Sequence, residues 1–261
     1  MNATWERAFR GVLAAVVICG VAGQWSASPA WADEIDDVRA SAAVPGPECH
    51  PKADLTRPQL IVGYGSLMQD VSRRETAPQA GTAVPVEVTG YRRGWFAAGQ
   101  LPGFNTVFLG VVPQDAARMN AVLFEVPPAE IAALDEREYV YCRVAVPAAD
   151  IAVLDGTAKL PQGQAWIYVS QGDIVAFPSG EVPIIQSYVD IFLSGCFELE
   201  DAHRLPGFAQ RCITETTDWS PHWVNDRVHP RQPLDDQPLA DRIDGLIKAE
   251  LPEDFAAIRI E

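Results

Sequence analysis

The chain is short of basic residues, with 20 Lys and Arg against 35 Asp and Glu and a formal net charge of −15 at pH 7. So acidic a surface repels phosphate backbones and anionic headgroups, which argues against nucleic acid or an anionic membrane as a partner. The sequence also has no P-loop and no CxxC pair, the usual signatures of a nucleotide-phosphate loop and a thiol redox site. No internal repeat or long low-complexity tract is present, and the length suits one domain with a full-sized core.

The N-terminal segment has the pattern of an export signal. Arg7 and Arg10 give it a basic start, the apolar stretch 11–22 is too short to span a bilayer comfortably, and Ala30 and Ala32 place small residues at positions −3 and −1 of a cleavage site. An uncleaved anchor is the alternative. We predict cleavage after Ala32 and a bacterial periplasmic or secreted product without membrane contact. That product would have 18 basic and 34 acidic residues, a net charge of −16, because the segment holds two Arg and one Glu.

A strand followed by a tight turn is predicted at 59–67. The apolar run Leu60-Ile61-Val62-Gly63 predicts a strand buried on both faces, and Tyr64-Gly65-Ser66-Leu67 then turns the chain. A glycine in such a turn lets a ligand oxygen approach unpaired backbone N–H groups. The pattern alone is weak, since Met68 breaks a dinucleotide-binding fingerprint and Ser66 lacks the flanking glycines of a hydrolase nucleophile.

Further strands are predicted from stretches rich in β-branched and aromatic residues, at 106–112, 121–126, 139–146 and 165–169. Because they follow one another closely with few helices between them, they predict an α+β fold with a mostly antiparallel sheet or small barrel. Apolar residues at helical spacing predict a helix over 183–196 and another near 238–250.

One helix carries a candidate catalytic residue. Pro127 and Pro128 precede a run of good helix formers over 129–138. Ile131 and Leu134 mark its buried face, and Glu138 falls on the same face, while Asp135 lies near it and Glu136 and Arg137 are expected to point elsewhere. A carboxylate on the buried face costs free energy unless it has a partner or a chemical task.

Two motifs together carry a family resemblance: Tyr64-Gly65-Ser66-Leu67 after a buried strand, and Leu134-Asp135-Glu136-Arg137-Glu138 followed by Tyr141 and Arg143. In this order and spacing they resemble the γ-glutamyl cyclotransferase superfamily, including its ChaC-like and AIG2-like branches, over roughly 58–228. The resemblance implies a small mixed, mostly antiparallel β-barrel with surrounding helices, and no cofactor or metal. It also implies a small-molecule γ-glutamyl substrate, whose α-amine attacks its own γ-carbonyl to release 5-oxoproline and a free amine.

The resemblance further implies roles for particular residues. Glu138 closes the second motif and corresponds to the catalytic acid/base, while the turn 64–67 would grip the glutamyl group through backbone amides. We include Tyr141 and Arg143 as candidate substrate-binding residues. Alternatives remain open: Tyr64 and Tyr141 can simply pack, and Arg143 can be the partner of a buried carboxylate, even of Glu138. Since the chain is expected to be exported, glutathione is a doubtful substrate.

Other functions remain possible on the same residues. A non-catalytic binder of γ-glutamyl or related carboxylates, or a γ-glutamyl acyltransferase or hydrolase, would use the same pocket. A metal site at His222 and His229, or a hydrolase triad using Ser66, is less well supported.

The cysteines predict disulfides. Four remain after residue 32, and an even number in an exported chain favours pairing, with three possible connectivities. We favour Cys196–Cys212, which closes a local loop, and hence Cys49–Cys142, which would tie the leader to the strand after Glu138. Free buried thiols are the alternative.

These expectations divide the chain into four parts: a signal peptide at 1–32, a leader at 33–57 ordered only near Cys49, a γ-glutamyl cyclotransferase-like domain at 58–228, and a C-terminal helical extension at 229–261. The oligomeric state and the leaving amine are not indicated by the sequence.

Overall fold

A seven-stranded sheet forms the centre of the computed structural model, which describes residues 29–43, 48–101, 104–156, 159–232 and 238–261. The strands are β1 Gln59–Gly63, β2 Val84–Leu101, β3 Phe104–Val126, β4 Tyr141–Val146, β5 Ile151–Val153, β6 Gln164–Ser170, β7 Ile184–Ile185, β8 Thr216–Thr217, β9 Trp223–Asn225 and β10 Arg259–Ile260. The α-helices are α1 Pro29–Ser41, α2 Asp70–Thr76, α3 Ile131–Arg137, α4 Gln186–His203, α5 Phe208–Thr214, α6 Ala240–Glu250 and α7 Pro252–Ala257.

The strand order of the main sheet is β4-β6-β1-β3-β2-β5, and β8 pairs beside a different part of β2. Neighbouring strands are antiparallel except for the parallel pairs β1–β6 and β2–β8. The predicted α+β class with a mixed, mostly antiparallel sheet is therefore confirmed. A second, three-stranded parallel sheet has the order β10-β9-β7.

The predicted closure into a barrel is wrong, because β4 and β5 end the strand order and do not pair with each other within the described ranges. The outer side of β4 is already occupied by the segment around Cys49. The Arg143 N–H donates to the Cys49 carbonyl at 2.8 Å, and a disulfide joins Cys49 to Cys142. A covered edge has no need of a further strand.

One long strand, β3, contains both of the strands that were predicted separately at 106–112 and 121–126, and it forms a hairpin with β2. The exposed residues between the two predicted strands form an irregularity in the pairing, where Thr89 pairs with Arg118 but Tyr91 pairs with Pro113. Gly90 lies at this point with a φ of 89°, a conformation that glycine adopts without a Cβ penalty. The polar residues between the apolar stretches were mistaken for a strand end.

Helix α4 packs across the turn that follows β1. It begins at Gln186 and extends beyond the predicted 183–196 to His203. Its Gly195 allows the close approach, since a Cβ there would lie 2.3 Å from the backbone nitrogen of Gln69. None of the helices in the described ranges is long and apolar enough to cross a membrane.

The leader and the C-terminal segment both contain regular structure. The expectation that the leader is ordered only near Cys49 is wrong, since α1 spans Pro29–Ser41 and its Val38 packs with Phe96, Val112 and Val175. Residues 1–28 of the predicted signal peptide lie outside the described residues. The C-terminal segment contains α6 where a helix was expected near 238–250, and β10 pairs with β9.

Both favoured disulfides are present. Cys49 is bonded to Cys142 and Cys196 to Cys212. The first bond joins the leader to β4 one residue after Tyr141, and the second joins α4 to α5. Cys142 directly follows Tyr141, and Cys196 lies in the same helix as Tyr188; both tyrosines line the cavity described below.

Candidate active site

A narrow cavity of about 30 Å³ lies where β1 ends. It is lined by Tyr64, Gly65, Ser66, Leu67, Leu109, Glu138, Tyr141, Tyr168 and Tyr188. Six of the seven candidate catalytic and substrate-binding residues are in this set, and Arg143 is not. The structure thus brings the two sequence motifs together around one cavity.

The turn after β1 is held by its own backbone and by close packing. A short 3₁₀ helix at Ser66–Met68 follows Gly65, with the Met68 N–H donating to the Gly65 carbonyl at 2.9 Å. A Cβ on Gly65 would lie 2.6 Å from the Tyr188 hydroxyl oxygen, so glycine is required for that hydroxyl to approach the turn. Burial raises the pKa of the Tyr188 hydroxyl, the nearby Glu138 adds to the rise, and the backbone groups of Ser66 and Leu109 partly oppose it.

Glu138 sits at the C-terminal end of α3, with its side chain only 15% exposed. Its backbone N–H donates to the Leu134 carbonyl at 2.9 Å, and its carbonyl accepts the Tyr141 N–H at 2.8 Å, so both backbone groups are held in place. Burial raises the pKa of the Glu138 carboxyl, and the neighbouring Arg137 guanidinium partly opposes the rise. A raised pKa makes this carboxylate a stronger base.

Arg137 is a site residue that the sequence analysis missed, and the expectation that it points away is wrong. Its Nε lies 3.2 Å from Glu138 Oε1. Its four Nη hydrogens bond to Ser66 Oγ, Ser72 O and Oγ, and Thr76 Oγ1 at 2.6–3.1 Å. An arginine has five N–H donors, so every donor of Arg137 is engaged. The available signal was its spacing, because it lies three residues after the buried Leu134.

Two tyrosines present acceptor oxygens to the cavity. The Tyr64 hydroxyl donates to the Tyr168 carbonyl at 2.6 Å, and the Tyr141 hydroxyl donates to the Leu109 carbonyl at 3.1 Å. Burial raises the pKa of both hydroxyls well above the usual value, and the nearby Glu138 adds to this. Both therefore stay protonated, and with their hydrogens committed to backbone carbonyls they offer lone pairs to a ligand.

Tyr188 and Tyr168 complete the ring of phenols. The Tyr188 ring is held edge-on by Trp95 and Phe108, with ring centroids 5.8 Å and 4.9 Å away. The Tyr188 hydroxyl lines the cavity, where it can donate to a ligand. Tyr188 lies within the helix predicted over 183–196 and Tyr168 within the strand predicted over 165–169, and neither was expected in the site.

Arg143 lies outside this cavity. Its Nε donates to Asp135 Oδ1 at 2.8 Å and its Nη2 donates to the Pro51 carbonyl at 2.7 Å. Its guanidinium also lies 4.3 Å from the centre of the Trp166 ring. Asp135 in turn accepts the Tyr168 hydroxyl at 2.8 Å. Arg143 is therefore the partner of a buried carboxylate, and that carboxylate is Asp135 rather than Glu138.

A larger outer pocket of about 210 Å³ adjoins the cavity. It is lined by Ser66, Ala97, Ala98, Gly99, Phe108, Arg137, Glu138, Tyr139, Val140, Tyr141, Tyr188 and Gln232. The two spaces share Ser66, Glu138, Tyr141 and Tyr188, so the Glu138 carboxylate lies at their junction. In the part of the chain that the structure describes, no group of three or more His, Cys, Asp or Glu is placed to hold a metal ion.

A buried carboxylate facing an amide-lined turn is the kind of site where enzymes carry out acid–base chemistry on small molecules. Residues 61–186 match the family model described as "Gamma-glutamyl cyclotransferase, AIG2-like". This match confirms the resemblance to the γ-glutamyl cyclotransferase superfamily that the two motifs predicted. The match supports a cyclotransferase-like enzyme that acts on a small γ-glutamyl substrate.

Other comparisons find solved structures at low identity. No curated protein sequence matches the chain. A solved structure described as a γ-glutamyl cyclotransferase is 13% identical, with 74% of this chain and 99% of that chain covered and a TM-score of 0.47. An uncharacterized human protein is 14% identical over 72% and 97% of the two chains, with a TM-score of 0.46. A yeast γ-glutamyl cyclotransferase described as specific to glutathione is 14% identical over 61% and 97%, with a TM-score of 0.38.

Proposed function

We propose that the chain is an exported γ-glutamyl cyclotransferase, which cleaves a γ-glutamyl amide into 5-oxoproline and a free amine with Glu138 as general acid and base. The observation that carries the proposal is the position of the Glu138 carboxylate, which borders both the inner cavity and the outer pocket. The family match supports the reaction class. The two disulfides support export, because such bonds persist mainly in oxidising compartments.

The proposed substrate lies with its glutamyl group in the inner cavity and its leaving amine in the outer pocket. The α-ammonium donates to the acceptor oxygens of Tyr64 and Tyr141, whose hydrogens are held by backbone carbonyls. The γ-carbonyl oxygen faces the turn that contains Gly65 and Ser66. The scissile amide then lies beside Glu138, where the two spaces meet.

The proposed reaction moves two protons from the α-nitrogen to the departing nitrogen, both through Glu138. Glu138 takes a proton from the α-ammonium, and the freed amine attacks the γ-carbonyl carbon to form the ring C–N bond. Backbone amides of the turn and the Tyr188 hydroxyl stabilise the resulting oxyanion. The amide C–N bond then breaks as the departing nitrogen takes this proton back from Glu138. The ring nitrogen, which still carries two hydrogens, passes its second proton through Glu138 to the free amine, so that 5-oxoproline keeps one N–H and the amine leaves as an ammonium ion. Because the attack is intramolecular, holding the substrate curled supplies a further rate advantage.

The test is product analysis on the protein expressed as the full chain in a bacterium with an oxidising periplasm. Purified protein is incubated with a panel of γ-glutamyl amines and peptides, glutathione included, and 5-oxoproline is measured by mass spectrometry. A Glu138→Gln variant is expected to make at least ~100-fold less, the usual range for a lost acid/base. Protein sequencing of the secreted product is expected to give an N-terminus at Asp33.

Other products would point to other functions. Free glutamate instead of 5-oxoproline would identify a hydrolase, and a new γ-glutamyl amide would identify an acyltransferase. Equal binding to both variants without turnover would identify a non-catalytic binder and remove the catalytic role of Glu138.

A further inference from the structure

The outer pocket has a wall built from small and apolar residues. Ala97, Ala98 and Gly99 form one side on β2, and Phe108 and Val140 lie beside them. A Cβ on Gly99 would lie 2.3 Å from the Phe108 ring, so glycine at this position lets the ring lie directly against β2. Phe108 is also packed edge-on against Tyr188 at 4.9 Å. The apolar wall therefore has a fixed shape.

The rim of the pocket adds an exposed aromatic side chain. Tyr139 is 64% exposed, one of few large hydrophobic side chains in the described ranges that are left in solvent. Its carbonyl accepts a hydrogen bond from Gln171 Nε2 at 3.3 Å, so its backbone is held while the ring remains accessible. An accessible ring beside an apolar wall favours an apolar or aromatic group on the ligand.

The described residues that line the outer pocket offer no free cation to a ligand carboxylate. Arg137 is the one Lys or Arg among the described residues that line it. Its four Nη hydrogens are bonded to Ser66, Ser72 and Thr76, and its Nε faces Glu138. A ligand carboxylate that entered the pocket would lose part of its hydration. Among the described lining residues it would find no guanidinium with a free donor, and it would lie near the negative charge of Glu138. Neutral donors compensate only part of that cost.

We propose that the outer pocket selects a leaving amine that is apolar and carries no carboxylate, which rests on the proposed function above. The substrate is then a γ-glutamyl amide of an aromatic or branched aliphatic amine, rather than a γ-glutamyl amino acid or a peptide such as glutathione. The engaged donors of Arg137 and the apolar wall over 97–99 together set this selectivity. The reaction itself is unchanged, since the amine departs with the proton returned by Glu138.

A pair of matched compounds tests the selectivity by binding alone. γ-Glutamyl-phenethylamide and γ-glutamyl-phenylalanine differ only in the carboxylate on the leaving group. Their Kd values are measured by titration calorimetry on the full wild-type chain with the glutaryl analogues of both compounds, which lack the attacking α-amine and cannot cyclise, so that binding is seen without turnover and the Glu138–Arg137 pair stays intact. We expect the phenethylamide, which has no carboxylate on the leaving group, to bind at least ~10-fold more tightly than the phenylalanine compound, equivalent to about 1.4 kcal/mol. Equal affinities, tighter binding of the acid, or no binding of either compound would overturn the inference.

Turnover of the same compounds separates this inference from the proposed function. Absence of 5-oxoproline from every compound would refute the enzyme, whereas 5-oxoproline formed equally from both compounds would refute only the selectivity. With wild-type protein we expect kcat/KM to favour the phenethylamide by ~10-fold or more.

A charge placed on the apolar wall supplies an independent variant. Ala98→Lys introduces a free ammonium beside the leaving group, and we expect it to reduce the preference for the phenethylamide by ~10-fold. The matched control is Ala145→Lys, another exposed or half-exposed strand alanine, which lies on β4 and lines neither pocket. The control should leave the preference unchanged. An unchanged preference in the Ala98→Lys variant would contradict the assignment of this wall to the leaving amine.

Discussion

The contact between Gly65 and Tyr188 gives the sharpest test of how the site is built. A Cβ on Gly65 would lie 2.6 Å from the Tyr188 hydroxyl oxygen, whereas ordinary contacts begin at 3.4 Å. Tyr188 is buried and its ring is held edge-on by Trp95 and Phe108. The hydroxyl therefore has no easy way to move aside. Gly65→Ala is expected to destabilise the fold by ~1–3 kcal/mol, the usual cost of overpacking.

The same contact predicts a rescue. In a Tyr188→Phe background the oxygen is absent, and the nearest atoms to the new methyl become Leu109 Cβ at 3.7 Å and the ring carbon Cζ at 3.8 Å. The double variant should therefore be more stable than the sum of the single changes predicts, by ~1–3 kcal/mol.

The assay is urea unfolding followed by tryptophan fluorescence, with both disulfides intact. Free energies of unfolding from linear extrapolation for the four proteins give the coupling energy directly. Gly81→Ala is the matched control, because the nearest atoms to its Cβ are 3.6 Å away and belong to Glu125. It should add to Tyr188→Phe without coupling. Additivity of Gly65→Ala and Tyr188→Phe within ~0.5 kcal/mol would refute the packing argument.

Four further predictions follow from single contacts. Arg137→Met removes the cation that opposes the raised pKa of Glu138, so the acid limb of the pH profile of kcat/KM should move to higher pH. An unmoved limb would show that Arg137 does not affect the pKa of the catalytic base. Glu138→Gln should be at least as stable as wild type at neutral pH, with an advantage in unfolding free energy that grows as pH rises through the raised pKa. Replacing both Cys49 and Cys142 by serine opens a link with a sequence separation of 93 and should cost roughly 2–5 kcal/mol in urea unfolding. Gly195→Ala puts a Cβ 2.3 Å from a backbone nitrogen and should lower both stability, by ~1–3 kcal/mol or more, and activity; unchanged values would contradict the close helix–turn packing.

Local patterns in the sequence predicted the first motif well. Strand β1 spans Gln59–Gly63, and all five of its residues are buried, because a run of apolar residues before a glycine turn allows few other structures. The helix before Glu138 was also predicted, since Pro128 and the helix formers after it determine where it begins. In both cases the information lies within about ten residues of chain.

Tertiary contacts could not be predicted in the same way. Leu109, Tyr168 and Tyr188 come from three elements distant in sequence, and only the pairing of strands and the packing of α4 bring them to the cavity. The barrel was expected from the family resemblance, and the predicted Cys49–Cys142 disulfide did not reveal that the backbone at Cys49 hydrogen-bonds to the edge of β4. The side-chain bonds of Arg137 depend on α2 lying beside α3, which no local pattern indicates.

The placement of Glu138 sets activity against stability. Burial raises its pKa above the ordinary value of 4.5, so the folded state favours the protonated form more than the unfolded state does. The contribution of Glu138 to folding stability is therefore fully present below its unfolded pKa and is lost as pH rises through the folded pKa. Under conditions where Glu138 is a usable base, it therefore weakens the fold. The disulfide from Cys49 to Cys142 and the bonds of Arg137 hold the same segment of chain on either side of it. Part of their role is then to keep a destabilised carboxylate in position where the two pockets meet.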